Sequence, residues 1–419
     1  LEGPDQRARS FFYFRRPLLY DEMDPATAAV FSDAHGCDPG SAEACGRLEA
    51  LKERIERRLP DRVRHYEASW DAAQERVTGL GAFGQRVLED LWAELDEETR
   101  PFAVAVPGSW QEQERATLDE FVHREATGFV GRVSLLDRLL EIAEESRGSK
   151  RGVSIVGQAG TGKSALLAAL HRRLAERSDV LLLAHSAGIS ARSTAVDAVV
   201  RRWIEGLATH LGVPDPTEGV DRREELEAQF AILLSEVATA TRVVILLDAV
   251  DQFEPTPVAR HLTWLPDPWP ENVRLIATGR PGTATEALSG LSGMETRELA
   301  PLRREEAREI VRQVCRRYHR TVHEAVVTTL LDRRLPSGEM AAGNPLWLQL
   351  ATEALLLLDQ DDFARLGAFT GTAEEKLHAL LLTTAGGFPP RVEALYATLL
   401  ERTEDAYGEA WAREFANLL

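Results

Sequence analysis

Residues 153–164 read VSIVGQAGTGKS, and their reading decides the fold. VSIV is a short, largely apolar run bounded by glycine, as in a strand covered on both faces. The next eight residues, GQAGTGKS (157–164), match G-x-x-x-x-G-K-[ST] completely, and SALLAALHRRLAER continues with a helical pattern. Strand, glycine-rich loop and helix in that order form the setting in which such a loop cradles phosphate. Gly157, Gly160 and Gly162 let the backbone turn so that successive N–H groups aim at one anion. The helix that begins here adds its positive end, about 0.3–2 kcal/mol of favourable field. Lys163 is placed to reach the β and γ phosphates, and the Ser164 hydroxyl to ligate Mg²⁺.

Further strand candidates flank this one: VLLLAH (180–185), VVILLD (243–248) and VRLIAT (273–278), with helices between them. Continuous apolar runs alternating with helices predict an α/β fold, a doubly wound parallel sheet, over about 129–300. Asp248 closes its apolar strand, where an acid suits the shell of the Mg²⁺. Asp251 follows three residues later and is read as the group that polarises the attacking water; capping the next turn is the alternative. Ala249 stands where fast ATP-driven machines carry glutamate. Arg280 ends the segment VRLIATGRP and is a candidate sensor of the γ phosphate, with a plain surface arginine as the alternative; Pro281 holds it extended.

The flanks are less regular. FFYFRRP (11–17) is an aromatic cluster around which no domain closes from the pattern alone, and 31–45 reads as a loop. Residues 1–45 therefore read as a short aromatic segment and loop, with the end of a preceding domain as the alternative. Leu48, Leu51, Ile55 and Leu59, then Leu80, Phe83, Val87, Leu91 and Leu95, recur at helical spacing, which predicts a helical arm over 46–126 broken by Pro101 and Pro107. From 301 the chain is nearly all helical, opening with APLRREEAREIVRQVCRRY.

Composition narrows the function. The 419 residues suffice for two or three domains, and the net charge of −18 argues against a general nucleic-acid binder. Three scattered cysteines give no disulfide framework, and no apolar run approaches the ~20 residues of a membrane span; a reducing cytoplasm is the simplest compartment. The chain opens on Leu1 without an initiator Met and is read as a piece of a longer or processed protein. Three decoys are set aside. LSGLSG (288–293) follows the second nucleotide motif, unlike the transporter signature, and reads as a loop. His319 and His323, four apart on an expected helix, and the His35, Cys37, Cys45 group read as polar surface and loop, not zinc sites.

Six stretches together resemble the STAND class of signal-transduction ATPases, in its NACHT-like branch: TGFVGR (127–132), GQAGTGKS, LLDAVDQF, TWLPDPWPENVRLIATGRP, ELAPLRREEAREIV and GNPLWLQLATEALL (343–356). WLP (264–266), the Gln252 that follows Asp251, and the FFYFRRP segment with its helical arm are most similar to the telomerase-associated-protein and nephrocystin subgroup. The resemblance implies a P-loop ATPase core at 127–300, a helical lid at 301–375 and the start of a winged helix at 376–419. It implies Phe129, Val130 and Pro345 around the base, and Gly157, Gly160, Thr161, Gly162, Lys163 and Ser164 on the phosphates. It also implies Ser164 and Asp248 on Mg²⁺, Asp251 on the water and Arg280 as sensor, with ATP and ADP as ligands. No acid follows Arg132 closely, Gln252 replaces the last acid of the second motif, and no histidine lies after His378 to touch the ADP phosphates. The expectation is a slow ATPase acting as a switch that self-associates when activated, with effector and sensor outside this sequence. A bacterial immune or stress role follows by analogy only. A motor or a metabolic P-loop enzyme is the alternative.

Overall fold

The computed structural model describes residues 10–35, 41–99, 108–145, 151–358, 362, 365–409 and 412. The chain forms two compact units that divide between Gly108 and Ser109.

The first unit corrects the helical-arm expectation. Strand β1 (Phe12–Arg15) pairs in parallel with β2 (Val63–Tyr66), Phe12 lying opposite Val63 and Arg15 opposite Tyr66. A hairpin of β3 (Ser69–Asp71) and β4 (Arg76–Thr78) follows, between the helices Ser41–Arg58 and Gly81–Thr99. The aromatic segment and the arm are thus one body, and no boundary falls at 45. Helical spacing on both sides hid the intervening VRHY and its turn, and the partner of β1 lies some fifty residues away, beyond any local pattern. The aromatic cluster closes on the second long helix. Phe83 stacks on Tyr66 at 4.2 Å and meets Tyr13 edge-on at 5.6 Å, while the Tyr13 hydroxyl donates to buried Asp90 at 3.0 Å. Pro101, Pro107 and Cys37 lie outside the described residues.

The second unit is built on a five-stranded, wholly parallel sheet: β5 (Gly152–Val156), β6 (Val180–Ser186), β7 (Arg242–Asp248), β8 (Val273–Gly279) and β9 (Met294–Glu298). Their order across the sheet is β6-β7-β8-β5-β9, so β8 stands between the strand of the phosphate loop and the strand of Asp248. This is an α/β P-loop core. Val243, Val244, Ile245, Leu246 and Leu247 are all fully buried, alternating between the two faces that helices cover. Each such side chain contributes roughly 1.5–3 kcal/mol relative to an exposed one. The apolar runs marked four of these strands. The fifth, METRE, is a charged edge strand whose exposed positions carry Glu and Thr, and its pattern gave no buried-strand signal.

The helix Trp110–Ala126, placed in the arm by its sequence, belongs to this unit, burying Leu118, Val122 and Ala126 against Ala168. Beyond the sheet, the helices Arg304–Arg317, Glu324–Leu331 and Pro345–Leu356 lie in the region expected as a lid. The helices Ala373–Gly387 and Val392–Tyr407 add Ala385, Phe388 and Leu395 to the same core as Trp347. The expected boundary at 375/376 therefore falls inside a helix and within one continuous core. His319 and His323 do not share a helix, because the chain ends one helix at Arg317 and His323 caps the next, accepting from the Ala325 N–H at 3.2 Å. LSGLSG is likewise partly helical, since the helix Thr283–Gly290 takes its first three residues. Among the described residues no group of His, Cys, Asp and Glu is arranged to hold a metal by itself, and no helix is long and apolar enough to cross a membrane.

Candidate nucleotide site

The phosphate loop sits at the C-terminal end of β5, where the helix Lys163–Ala175 begins. Gly162, the residue ahead of that helix, has φ +83°, and Gly160 has φ +73°, both in the left-handed region that favours glycine. A Cβ on Gly160 would also come within 2.8 Å of the Leu346 Cβ. Lys163 folds its ammonium over the loop, donating to the carbonyls of Gly157 at 2.7 Å and Gln158 at 2.9 Å. Burial lowers its pKa, and the charges of Asp251 and Asp248 offset part of that shift.

Asp248 lies at the end of β7, 3% exposed. One carboxylate oxygen accepts from the Ser186 hydroxyl at 2.9 Å and the other from the Thr278 hydroxyl. Thr278 in turn accepts the Ala249 N–H at 3.1 Å. Ser164 and Asp248 line one small cavity of about 20 Å³. The Ser164 hydroxyl and the Asp248 carboxylate are oxygen donors and fit a hard divalent cation such as Mg²⁺. Behind them His185 is fully buried; Arg202 donates to its Nδ1 at 2.9 Å and its Nε2 donates to the Ser193 carbonyl at 2.8 Å. Burial, with help from Arg202, pushes its pKa down to about 3, so the ring is neutral.

After Asp248 the backbone turns sharply. Ala249 has φ +57°, and a single 3-10 turn, Val250–Gln252, projects Asp251 toward the end of β8. There Asp251 accepts from the Arg280 backbone N–H at 2.8 Å, from Arg280 Nε at 2.6 Å and from Gln252 Nε2 at 2.9 Å. Burial pulls its pKa upward, but the hydrogen bonds from Arg280 and Gln252 outweigh it and hold the carboxyl below its ordinary value. The expected water-polarising acid and the expected sensor are thus one ion pair.

Where a base was expected lies a cavity of about 400 Å³, onto which Phe129, Val130, Gly162, Ala165, Ile310 and Pro345 all open. The structure therefore brings Phe129, Val130 and Pro345 together with the start of the phosphate-loop helix. Arg132, Glu306, Asn344, Thr278 and Ser186 had no role expected from the sequence. Arg132, buried and left-handed at φ +52°, donates to the Thr161 carbonyl at 2.6 Å and to Ala300 O at 3.1 Å. Its own N–H donates to Glu306 at 2.8 Å. Burial alone would raise the Glu306 pKa, yet the hydrogen bonds from Arg303 and Arg132 bring it down to about 2. Asn344 caps the helix Pro345–Leu356 by accepting the Leu346 and Trp347 N–H groups, and donates its amide to the Ala159 carbonyl at 3.2 Å. The Leu346 N–H also reaches Gly160 O at 3.3 Å. Asn-Pro at a helix start is a readable capping signal; the reach into the phosphate loop is not. Thr278 and Ser186 are hydroxyls at the ends of largely apolar, buried strands, a pattern that marks a buried polar contact.

Residues 128–276 match the family model described as an AAA ATPase domain. That match covers the phosphate loop, β7 and most of β8, and supports a nucleotide-binding P-loop ATPase domain in this stretch. Telomerase protein component 1 of Rattus norvegicus is 24% identical over 362 residues, covering 83% of this chain and 13% of that protein. A TPR repeat-containing protein of Dictyostelium discoideum is 19% identical over 290 residues, 60% of this chain and 16% of the other. The chain thus spans well under a fifth of the length of these curated relatives. Among solved structures, Cdc6p from Pyrobaculum aerophilum is 15% identical with a TM-score of 0.35, covering 60% of this chain and 64% of its own. The Thermotoga maritima RuvB Holliday junction branch migration motor is 13% identical with a TM-score of 0.35, covering 66% and 76%.

Proposed function

We propose that this chain is the nucleotide-operated part of a STAND-type switch, binding ATP or ADP with Mg²⁺ and hydrolysing ATP slowly. One observation carries the reading: the lid is fastened to the phosphate loop itself, through Asn344 to Ala159 and Leu346 to Gly160. A nucleotide in the cavity would lie between core and lid and would be held by both. The base would rest against Phe129, Val130 and Pro345, and the phosphates on Gly157, Gly160, Thr161, Gly162 and Lys163. Ser164 and Asp248 would hold Mg²⁺, which supplies charge neutralisation at the β and γ phosphates.

The water side supports slow turnover. Ala249 has no carboxylate, and Asp251 has both oxygens engaged, chiefly by Arg280. A carboxylate so held is a weak base. In this reading Arg280 leaves Asp251 for the γ phosphate, which frees the acid to orient water; until then cleavage waits. Moving such an equilibrium from 1:99 to 99:1 takes about 5.5 kcal/mol of differential binding. The γ phosphate would supply part of that and an activating partner the rest. The similarity to telomerase protein component 1 supports the subgroup resemblance, and with it opening and self-association as the output. A defence role and a cytoplasmic setting remain parts of the same proposal, as does the view, drawn from net charge, that nucleic acid is not the ligand.

The test is to denature freshly purified protein, identify the nucleotide released, and time the hydrolysis of added ATP. Retained ADP with turnover of minutes or slower is expected. An empty site with rapid turnover would replace the switch with a motor or metabolic enzyme.

A further inference from the structure

We propose that Gln313 is the residue that reads the base and makes the cavity selective for adenine; the inference rests on the nucleotide reading above. The lid helix Arg304–Arg317 is fixed in register against the segment 128–132 by Glu306, whose carboxylate accepts the Arg132 N–H at 2.8 Å. Ile310 and Gln313, four and seven residues on, share that face of the helix and open onto the 400 Å³ cavity. The Gln313 side chain lies flat against Gly128, next to Phe129. A Cβ on Gly128 would stand 3.1 Å from Gln313 Nε2 and 3.3 Å from its Cγ, so glycine there gives the amide its place.

The other polar side chains on the cavity are already committed within the protein. Arg132 donates to Thr161 O and Ala300 O, and the Thr127 hydroxyl to His123 O. Arg124 bonds Glu125, while Gln349 and Arg317 both turn to Glu353. Among the described residues Gln313 alone on this cavity brings an amide that has no partner. Val130, Ile310 and Val314 open onto the same cavity beside these committed groups, so a base entering there exchanges water for one directional contact with Gln313.

An amide offers one acceptor beside a donor. Adenine presents N6–H₂ beside N7, a donor and an acceptor, and glutamine pairs with both at once. Hypoxanthine and guanine present O6 beside N7, two acceptors, so one of the two bonds becomes a repulsion between lone pairs. The geometry therefore assigns adenine, recognised on its N6/N7 edge.

The experiment is calorimetric titration of the full chain with ADP and with inosine diphosphate, which differ at position 6, for the wild type and for Gln313→Leu. Gln313→Met serves as a second variant should leucine disturb the fold. The wild type is expected to prefer ADP by roughly tenfold or more. Either variant should bring the two affinities within about threefold, by weakening ADP and by relieving the repulsion against inosine diphosphate. A wild type that binds ADP, with the same preference surviving in a folded variant, would overturn the assignment of Gln313 and leave the nucleotide reading standing. A wild type that binds neither diphosphate would remove both. 7-Deaza-ADP, which lacks N7, should bind the wild type more weakly than ADP; equal affinity would overturn recognition of the N6/N7 edge.

Discussion

Two acids three residues apart live in opposite settings. Asp248 is buried, and neutral hydroxyls from Ser186 and Thr278 hold it without cancelling its charge. Asp251 sits beyond a left-handed turn and is neutralised by Arg280. The first is preset: its negative charge waits in a polar shell, ready for a cation. The second is engaged and has to be released. If the proposed switch is right, the side expected to hold the cation is already arranged, while the side expected to hold the water needs Arg280 to leave Asp251.

The comparison can be broken at several points. The largest effect is expected from Lys163→Ala, which should weaken ADP binding about 100-fold or more by titration calorimetry, since the loop loses the charge that meets the phosphates. Unchanged affinity would remove the phosphate loop from the argument, and with it both acids. Asp251→Asn should lower ATP turnover by roughly 10- to 100-fold while ADP affinity stays within about twofold. An unchanged rate would mean that Asp251 is only the partner of Arg280.

Thr278→Val sharpens the contrast from the rigid side. It strips one hydroxyl from Asp248 and leaves the Ala249 N–H unpaired, so a loss of about 1–3 kcal/mol in denaturant unfolding is expected, with Thr278→Ser restoring most of it. Stability unaffected by valine would show that Asp248 is not held as described. Asn344→Ala should cost about 1 kcal/mol through the lost helix cap.

The mildest effect at working pH comes from Glu306. Its folded pKa of about 2 lies below the ordinary carboxyl value of 4.5, so its contribution is complete above pH 4.5 and drains away as pH falls toward 2. Glu306→Gln should flatten acid unfolding in that window and leave the slope near neutrality unchanged. A wild-type slope retained in the variant would assign the acid sensitivity elsewhere.

What the sequence made legible follows burial and locality. β5, β6, β7 and β8 are covered on both faces, so their apolar runs announce them; β9 lies at a charged edge and does not. Phe129, Val130 and Pro345 were expected as base contacts through resemblance; the structure places all three on one cavity. Their partners were hidden because each acts across the chain: Glu306 on Arg132, 174 residues away, and Asn344 on Ala159, 185 residues away. The pairing of Asp251 with Arg280 joins two residues that were each assigned a separate task, and no spacing rule relates them. In the first unit the strand pair β1–β2 failed for the same reason, its halves separated by a helix whose pattern dominated the reading.

One proton at the head of the lid helix has a use of its own. The Leu346 amide is shared between Asn344 Oδ1, within its own cap, and Gly160 O, on the phosphate loop; the Trp347 amide beside it bonds the cap alone. Solvent exchange at Trp347 therefore needs only loosening of the cap, whereas exchange at Leu346 needs departure from the loop in addition. The extra protection of Leu346 over its neighbour would therefore measure, with no label and no partner, how firmly the head of this helix stays on the phosphate loop.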